Sequence, residues 1–414
     1  MLYPNPMQEI FLRILDRIRF ALILATVFLV PFFLGGERPL SLFVMRGLIA
    51  AAGVLALAPL LFGRGRFETE PRATLLPLGI FLVFLAYVFF QSVAGHAVFA
   101  AGNGFGTAVV HQTREQAAQL VFYTLFFFLC LDSFHSKRRV RFLTFLVAAQ
   151  VILLIAVGYA QRMQSLPLIL GHFDPANMPF FSTFLNENHY GAYLLVAGFL
   201  FLGASAYGYE SAGARHRSDA FLLENIFLLV VITLGAASSF YAEARAAFLA
   251  QAVVIPLFFL AAVGGRNRGR AFFVLAILGA LVFVFIQMFF PQIRQSYGAV
   301  PAAFNDRWSL VKDGWEIFRD YPLFGAGLGS YPWVARAYQG LGGGSFYREH
   351  LACEVLELLM DTGVVGTVLC AAPFLILIPS AFLRSRRSPS RWCRTMGLAL
   401  FFAVIGVFAM SLLE

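Results

Sequence analysis

Residues 137–160 read KRRVRFLTFLVAAQVILLIAVGYA. A basic group opens this stretch, and residues 142–160 are almost entirely apolar. An α-helix needs roughly 20 such residues to cross the hydrocarbon core of a bilayer. A helix is favoured there because lipid offers the backbone no hydrogen-bond partners outside the segment. The stretch therefore predicts a transmembrane helix whose basic end stays in the cytoplasm.

The same pattern recurs along the chain. Of the 414 residues, 60% are hydrophobic and 13% are charged, which is too apolar for a soluble domain. We predict an all-α polytopic membrane protein with about 11–12 transmembrane helices. Eleven of them are placed near residues 20–36, 40–62, 73–94, 118–134, 142–160, 189–207, 221–240, 245–263, 271–290, 362–383 and 395–412.

Basic residues predict the orientation, because short loops rich in Lys and Arg are retained in the cytoplasm. Six segments hold 20 of the 31 basic residues. These residues are Arg13, Arg17, Arg19; Arg64, Arg66, Arg72; Lys137, Arg138, Arg139, Arg141; Arg215, Arg217; Arg266, Arg268, Arg270; and Arg384, Arg386, Arg387, Arg391, Arg394. The segments alternate along the chain, which predicts a cytoplasmic N-terminus and a retained first helix.

Three long segments are predicted on the outer side, at 95–117, 161–188 and 291–361. The last divides the chain into transmembrane helices 1–9 (residues 1–290), an outer loop (291–361) and C-terminal transmembrane helices (362–414). A loop of this length is typical of a functional segment. Within it, Asp306 is predicted to cap a helix whose apolar positions are Trp308, Val311, Trp315 and Phe318, lying in the membrane interface.

The same loop contains glycines at 325, 327 and 329. No strand precedes them and their spacing matches neither standard nucleotide fingerprint, so we interpret them as a turn that allows close backbone approach. Further on, Glu354, Glu357 and Asp361 share one helix face, which predicts an aqueous cavity or cationic partners beside them.

Composition also limits the ligand classes. The 48 phenylalanines belong to membrane-facing runs, so neither they nor the net charge of +9 indicates nucleic-acid binding. The four cysteines are scattered and imply no disulfide or metal site. The remaining basic residues lie in or near outer segments, which indicates an anionic ligand at the outer leaflet, although mixed surface charge is the plainer explanation for any single one.

Four stretches resemble the O-antigen ligase and polymerase family, over roughly residues 179–366. They are Ser182-Thr-Phe-Leu-Asn186-Glu-Asn188-His189-Tyr-Gly191; Arg245-Ala-Ala-Phe-Leu-Ala; Arg307-Trp308 through Asp320-Tyr-Pro322-Leu-Phe-Gly325-Ala-Gly327-Leu-Gly329; and His350 through Glu354-Val-Leu-Glu357-Leu-Leu-Met-Asp361-Thr-Gly363. The chain departs from the family pattern at Pro179, where an arginine is usual, at Ala244, where a serine is usual, and at Cys353 and Val355, which replace Asn and Tyr.

The resemblance implies a GT-C-like membrane glycosyltransferase in the bacterial inner membrane, with its active site on the periplasmic face. Its donor would be a glycan linked to undecaprenyl diphosphate, and its acceptor a glycan or lipid A core. Neither a metal ion nor another cofactor is expected, and membrane lipids are expected partners.

Two residues are the predicted catalytic groups. Arg245, at an outer helix end, is suited to the charge that develops on a diphosphate leaving group, because guanidinium binds phosphate bidentately. An ion pair with Glu243 is the structural alternative. His350 is suited to take the acceptor's proton, because histidine titrates near neutrality. A solvent-exposed histidine without a role is the alternative.

Substrate binding is assigned to further residues of the outer segments: Arg307, Arg162, Asn186, Asn188, His189, Arg348 and Glu354. Arg162 is a candidate for the cation missing at Pro179. Asn186 and Asn188 are able to bind sugars or simply to cap a helix.

Three other functions share these features. A polysaccharide polymerase would use the same donor with another lipid-linked repeat as acceptor, and a protein-glycosylating transferase would differ only in its acceptor. A lipid-linked oligosaccharide flippase or other transporter is less favoured, because no internal repeat is visible and the charges gather in outer loops.

Overall fold

The computed structural model describes residues 6–36, 38–61, 71–95, 104–164, 169, 180–211, 219–262, 300–338, 350–351 and 353–413. Over these ranges the chain forms twelve α-helices and no strand. The helices are α1 (Pro6–Leu29), α2 (Pro39–Leu61), α3 (Pro71–Ala94), α4 (Val110–Ser133), α5 (Lys137–Met163), α6 (Glu187–Ser211), α7 (Asp219–Tyr241), α8 (Arg245–Ala262), α9 (Val300–Asp320), α10 (Tyr331–Tyr338), α11 (Glu354–Arg387) and α12 (Arg391–Leu413).

Eight helices contain a segment long and apolar enough to cross a membrane, namely α2, α3, α4, α5, α7, α8, α11 and α12. This confirms the all-α polytopic membrane fold. The predicted spans 20–36 and 189–207 fall in α1 and α6, which are helical over 24 and 25 residues but are not among the eight. The predicted span 271–290 lies outside the described residues.

The first predicted span also ends earlier than expected. Helix α1 stops at Leu29, and residues 30–36 form two short 3-10 turns. Pro31 cannot donate a helical hydrogen bond, and Gly35 and Gly36 adopt φ values of 67° and 89°, which are outside the helical range.

The chain divides into two compact units. Unit 1 comprises Met1–Pro71 and Val121–Ala244, and unit 2 comprises Arg72–Leu120 and Arg245–Glu414. In unit 1, helices α5, α6 and α7 surround a core that includes Leu154, Phe181 and Tyr190. At one end of this unit Arg19 contacts Asp16 at 2.8 Å and Asp132 at 2.6 Å, and Arg139 also pairs with Asp16. Two predicted cytoplasmic segments, the N-terminus and residues 137–141, therefore meet at the same end.

In unit 2, α11 packs against α9 and α12, and α8 packs against α12. The predicted helix in the outer loop is present as α9, but the prediction that Asp306 caps it is wrong. The helix begins six residues earlier, at Val300, where Pro301 suits the first turn because the N–H it lacks would have no helical partner there. Its buried side includes Leu310 and Ile317, while Trp315 is 52% exposed.

Candidate active site

A glycine-rich turn, residues 321–330, joins α9 to α10 and lies against the start of α11. The amide of Ala326 donates to the carbonyl oxygen of Met360 at 2.9 Å, and the amide of Gly327 donates to that of Asp361 at 2.8 Å. The Gly329 amide donates to Asp361 Oδ2 at 2.6 Å. These three amides of the turn are thus bound to protein acceptors.

The glycines of this turn permit the close backbone approach expected from the sequence. A Cβ on Gly325 would lie 2.4 Å from the carbonyl carbon of Asp361, and one on Gly327 would lie 1.9 Å from Thr107 Oγ1. Both glycines have positive φ values, 73° and 109°, which side chains other than glycine rarely adopt. The turn therefore fits against α11 at Gly325, and against Thr107 at Gly327, only with glycine at these positions.

Helix α11 breaks at Gly363, whose φ of 64° and ψ of −175° are not helical. The amides of Val364 and Val365, displaced from the helical pattern, donate instead to the carbonyl oxygens of Pro322 and Leu323 at 2.9 and 3.2 Å. The Tyr87 hydroxyl donates a further hydrogen bond to the Thr362 carbonyl oxygen, at 2.8 Å. The break separates a first segment, residues 354–362, from the apolar remainder, so the predicted span 362–383 begins where the helix direction changes.

The first segment of α11 holds Glu357, and His350 precedes the helix in the chain. His350 Nδ1 lies 3.0 Å from Glu357 Oε1, and Glu357 Oε2 accepts the Leu351 amide at 2.7 Å. The histidine side chain is 71% exposed, whereas the glutamate side chain is 14% exposed. We call these two residues the His350–Glu357 pair. One edge of the imidazole is bound to a largely buried carboxylate and the ring itself remains accessible to solvent.

Leu351 anchors the chain beside this pair. It is 5% exposed and belongs to a cluster with Leu310, Leu356 and Met360. Gly314 of α9 makes room for it, because a Cβ at Gly314 would lie 2.7 Å from Leu351 Cδ2. The backbone next to His350 is therefore fixed by apolar burial as well as by Glu357.

The other predicted carboxylates of α11 have structural partners. Glu354 Oε2 accepts a hydrogen bond from the Ser411 hydroxyl of α12 at 2.7 Å. Asp361 is 2% exposed, and its carboxylate binds Gly329 and the Ser330 hydroxyl at the start of α10. The predicted shared helix face is thus divided: Asp361 faces the turn, Glu354 faces α12 and Glu357 faces His350.

At the end of α9, Asp320 accepts a hydrogen bond from the Tyr338 hydroxyl at 2.5 Å. Burial is the main cause that raises the pKa of the Tyr338 phenol above its ordinary value, and the nearby Asp320 carboxylate raises it further. The phenol therefore remains a neutral donor at physiological pH. This hydrogen bond ties the end of α10 to the end of α9, on either side of the glycine-rich turn.

Arg245 is the first residue of α8, as the sequence predicted. Its side chain is partly buried, between the buried residues Ala244 and Ala246. Glu243, the predicted alternative partner of Arg245, contacts Arg162 in unit 1, with 3.1 Å between Arg162 Nη2 and Glu243 Oε1. The Arg162 guanidinium also lies over the Tyr241 ring, 5.7 Å from its centroid.

The asparagine motif opens α6. Asn186 Oδ1 accepts the Asn188 amide at 2.8 Å, so Asn186 caps the helix, as one of the two predicted alternatives stated. Asn188 is 9% exposed and its Oδ1 atom has no hydrogen-bond partner among the described residues. His189 is partly buried in the first turn. Substrate binding by these three residues stays a prediction.

Two predicted substrate-binding residues are not fully described. The backbone of Arg307 is part of α9, but its side chain is outside the described part of the structure. The whole of Arg348 is also outside it. Their roles stay predictions. The residues that the structure does describe contain no group of three or more His, Cys, Asp or Glu side chains placed to hold a metal ion.

Glu357 was not among the predicted site residues. The available signal was its position in the first turn of a helix, where a glutamate can reach back to amides that precede the helix. That position did not indicate that Glu357 would contact His350, because the contact depends on where the backbone of residues 350 and 351 lies relative to α11.

The described geometry can be compared with known protein families. Residues 228–371 match the family described as O-antigen ligase. This confirms the resemblance inferred from the motifs. The match spans Arg245, the glycine-rich turn and the His350–Glu357 pair, and it begins after the asparagine motif at 186–189. A comparison with curated proteins found no match.

The O-antigen ligase match and the apolar helices together support a multi-pass membrane enzyme of the ligase or polymerase type. They support a role in lipopolysaccharide biosynthesis with glycan or lipid-linked substrates.

Proposed function

We propose that this protein is a glycosyltransferase that moves a glycan from undecaprenyl diphosphate to a sugar hydroxyl of lipid A core. Transfer would occur at the periplasmic face of the bacterial inner membrane and would require no metal ion. The observation that carries the proposal is the His350–Glu357 pair, an accessible imidazole bound to a carboxylate, within residues that match the O-antigen ligase family.

In the proposed reaction His350 removes the proton from the acceptor hydroxyl. The acceptor oxygen then forms a bond to the anomeric carbon of the donor sugar, and the bond from that carbon to the diphosphate oxygen breaks. The leaving undecaprenyl diphosphate takes the electron pair. Base catalysis suits this step because a sugar hydroxyl is a poor nucleophile until its proton is transferred.

Arg245 would stabilise the leaving group. Charge grows on the diphosphate oxygens as the bond to the sugar breaks, and a guanidinium held at a helix start can bind two of those oxygens at once. Arg162, Arg307 and Arg348 are proposed to hold the donor phosphates before reaction. Asn188, His189 and Glu354 are proposed to contact sugars.

The test is transfer by purified protein in proteoliposomes, with native undecaprenyl-diphosphate glycan as donor. Lipid A core and a second lipid-linked repeat are offered separately as acceptors. Glycan transferred to lipid A core supports a ligase. Glycan transferred to the second lipid-linked repeat would instead show a polymerase. Binding of the donor and its movement across the bilayer, with no product on either acceptor, would refute a transferase.

In the same assay we expect His350→Ala to reduce transfer by about 10²- to 10⁴-fold, the usual contribution of general-base catalysis. Donor binding should remain nearly unchanged, because arginines hold the diphosphate. His135→Ala is the matched control, since His135 is exposed between α4 and α5, in a predicted cytoplasmic segment. A folded His350→Ala variant with parental activity would remove His350 from the mechanism.

A further inference from the structure

The first half of α1 carries an exposed apolar stripe. Its members recur at intervals of three and four residues, which places them on one side of the helix: Met7, Ile10, Phe11, Ile14 and Ile18. Each of the five is between 46% and 73% exposed. A contiguous apolar surface of this kind is unfavourable in water, so the stripe requires an apolar partner.

The other side of this helix segment is committed to unit 1. Arg19 is 8% exposed and contacts Asp16 at 2.8 Å and Asp132 of α4 at 2.6 Å. Arg139 of α5 pairs with Asp16, and its guanidinium lies over the Phe20 ring, 4.7 Å from the centroid. These contacts fix which side of α1 faces the protein, so the stripe points away from unit 1.

Basic side chains border the stripe. Arg13 and Arg17 are exposed and lie about one turn apart along one of its edges. Lys137 and Arg138, also exposed, occupy the first turn of α5, where the helix dipole is already positive. The two aspartates that lie close to them are already bound to other arginines. The surface beside the stripe is therefore positively charged, which suits an anionic partner.

The sequence that follows Arg19 indicates where the bilayer begins. Residues 20–30 contain no charged side chain and suit the hydrocarbon core, whereas the exposed Arg13 and Arg17 would be costly there. Residues 7–18 are thus expected at the interface. There the stripe can enter the acyl-chain region while the long arginine side chains extend to the headgroups.

We propose that residues 7–18 of α1, together with the start of α5, form a docking surface for anionic phospholipids of the leaflet on which the N-terminus lies. The apolar stripe contacts their acyl chains, and Arg13, Arg17 and Arg138 bind their phosphates. Guanidinium groups suit phosphate because they bind two of its oxygens at once and stay charged. This leaflet is the predicted cytoplasmic one, so the inference is independent of the proposed transferase site.

Lipid contact and headgroup preference are measured together on the full-length chain. A bimane label is attached at Ile14→Cys after the four native cysteines are replaced by alanine, and the protein is reconstituted in mixed phosphatidylcholine and phosphatidylglycerol. In matched bilayers one lipid or the other carries a nitroxide on its acyl chain, which quenches bimane on contact. The ratio of the two quenching constants reports local enrichment of phosphatidylglycerol. We expect an enrichment of about fivefold or more, since one basic residue at an anionic surface typically contributes about that factor.

The double variant Arg13→Gln/Arg17→Gln should bring this ratio close to one. Quenching by phosphatidylcholine should persist, because the apolar contact remains. Arg319→Gln, which removes an exposed charge from α9, is the matched control and should leave the ratio unchanged. A label at Val83→Cys, a 54% exposed position in the candidate span of α3, should be quenched equally by both lipids.

Three results would overturn the proposal. Absence of quenching by either lipid would show that water or another protein surface covers the stripe. Equal quenching of the Ile14 label by both lipids would leave acyl-chain contact without recognition of the anionic headgroup. A parental ratio in the double variant would remove the arginines from lipid binding.

Native mass spectrometry of the unlabelled chain is the second measurement, and it needs no cysteine replacement. The parent should retain phosphatidylglycerol in preference to phosphatidylcholine, and the double variant should lose this preference. The same preference in both proteins would contradict the proposal even if the cysteine-free chain fails to fold.

Discussion

Gly327→Ala should destabilise unit 2 strongly, because the glycine-rich turn leaves no room for a side chain there. Gly327 has a φ of 109°, and holding alanine in such a region costs about 1–3 kcal/mol. The added Cβ would lie 1.9 Å from Thr107 Oγ1 and 2.5 Å from Thr107 Cβ. Relieving an overpacked contact of this kind costs about a further 1–3 kcal/mol.

Thr107 cannot easily move aside. It is fully buried, its hydroxyl lies 2.7 Å from that of Thr113, and its amide donates to the Gly95 carbonyl oxygen at 2.9 Å. We therefore expect a total loss of about 2–6 kcal/mol, the sum of the strain and overpacking terms.

The loss is measured as the free energy of unfolding by SDS in mixed dodecyl maltoside micelles, followed by circular dichroism. Gly79→Ala in α3 is the control, since a Cβ there meets nothing within 4 Å. It should change the free energy by no more than about 1 kcal/mol. Equal unfolding free energies for the two variants would refute the steric argument and the tight docking of the turn.

Two further predictions address the arginine and the orientation. Arg245→Lys should lower transfer by about 10²-fold or more, because lysine keeps the positive charge but cannot bind phosphate bidentately. Arg394→Lys, in a predicted cytoplasmic segment, is the control and should leave transfer unchanged. Parental activity of the Arg245→Lys variant would show that Arg245 has a structural role. A cysteine introduced by Ser345→Cys, in a Cys353→Ser background, should react with a membrane-impermeant maleimide in intact spheroplasts, while one introduced by Ser218→Cys should react only after lysis. The reverse pattern would invert the topology.

The membrane helices were predictable because lipid imposes one requirement on every span. An apolar run of sufficient length is required for crossing, and the backbone must then close its own hydrogen bonds, so α5 could be read from residues 142–160 directly. Boundaries were less predictable. Proline and glycine near residues 31–36 ended α1 early, and Pro301 allowed α9 to begin before Asp306.

For the candidate site, the sequence allowed residue types to be proposed but not their pairings. His350 could be selected because histidine titrates near neutrality, and the glycines at 325 and 327 because alternating glycines indicate close approach. The partners of Glu354, Glu357 and Asp361 could not be predicted. Helical spacing shows that the three side chains share one side of a helix, but not which other elements that side contacts. The break at Gly363 and the turns on either side determine which element each carboxylate meets.

The kink in α11 links the chemistry to the membrane. Residues 354–362 carry Glu357, the partner of the proposed base His350, and the apolar segment after Gly363 belongs to a candidate span, so one kinked helix connects that partner to the span. At 1.5 Å per residue, Glu357 lies only about 9 Å along the axis from the break, which is comparable to the depth of a headgroup layer. The Ala326 and Gly327 amides donate to the carbonyl oxygens of Met360 and Asp361, so the glycine-rich turn is attached to this segment. If the donor diphosphate lies at headgroup level, it would therefore meet a base whose carboxylate partner is held close to the membrane end of this helix.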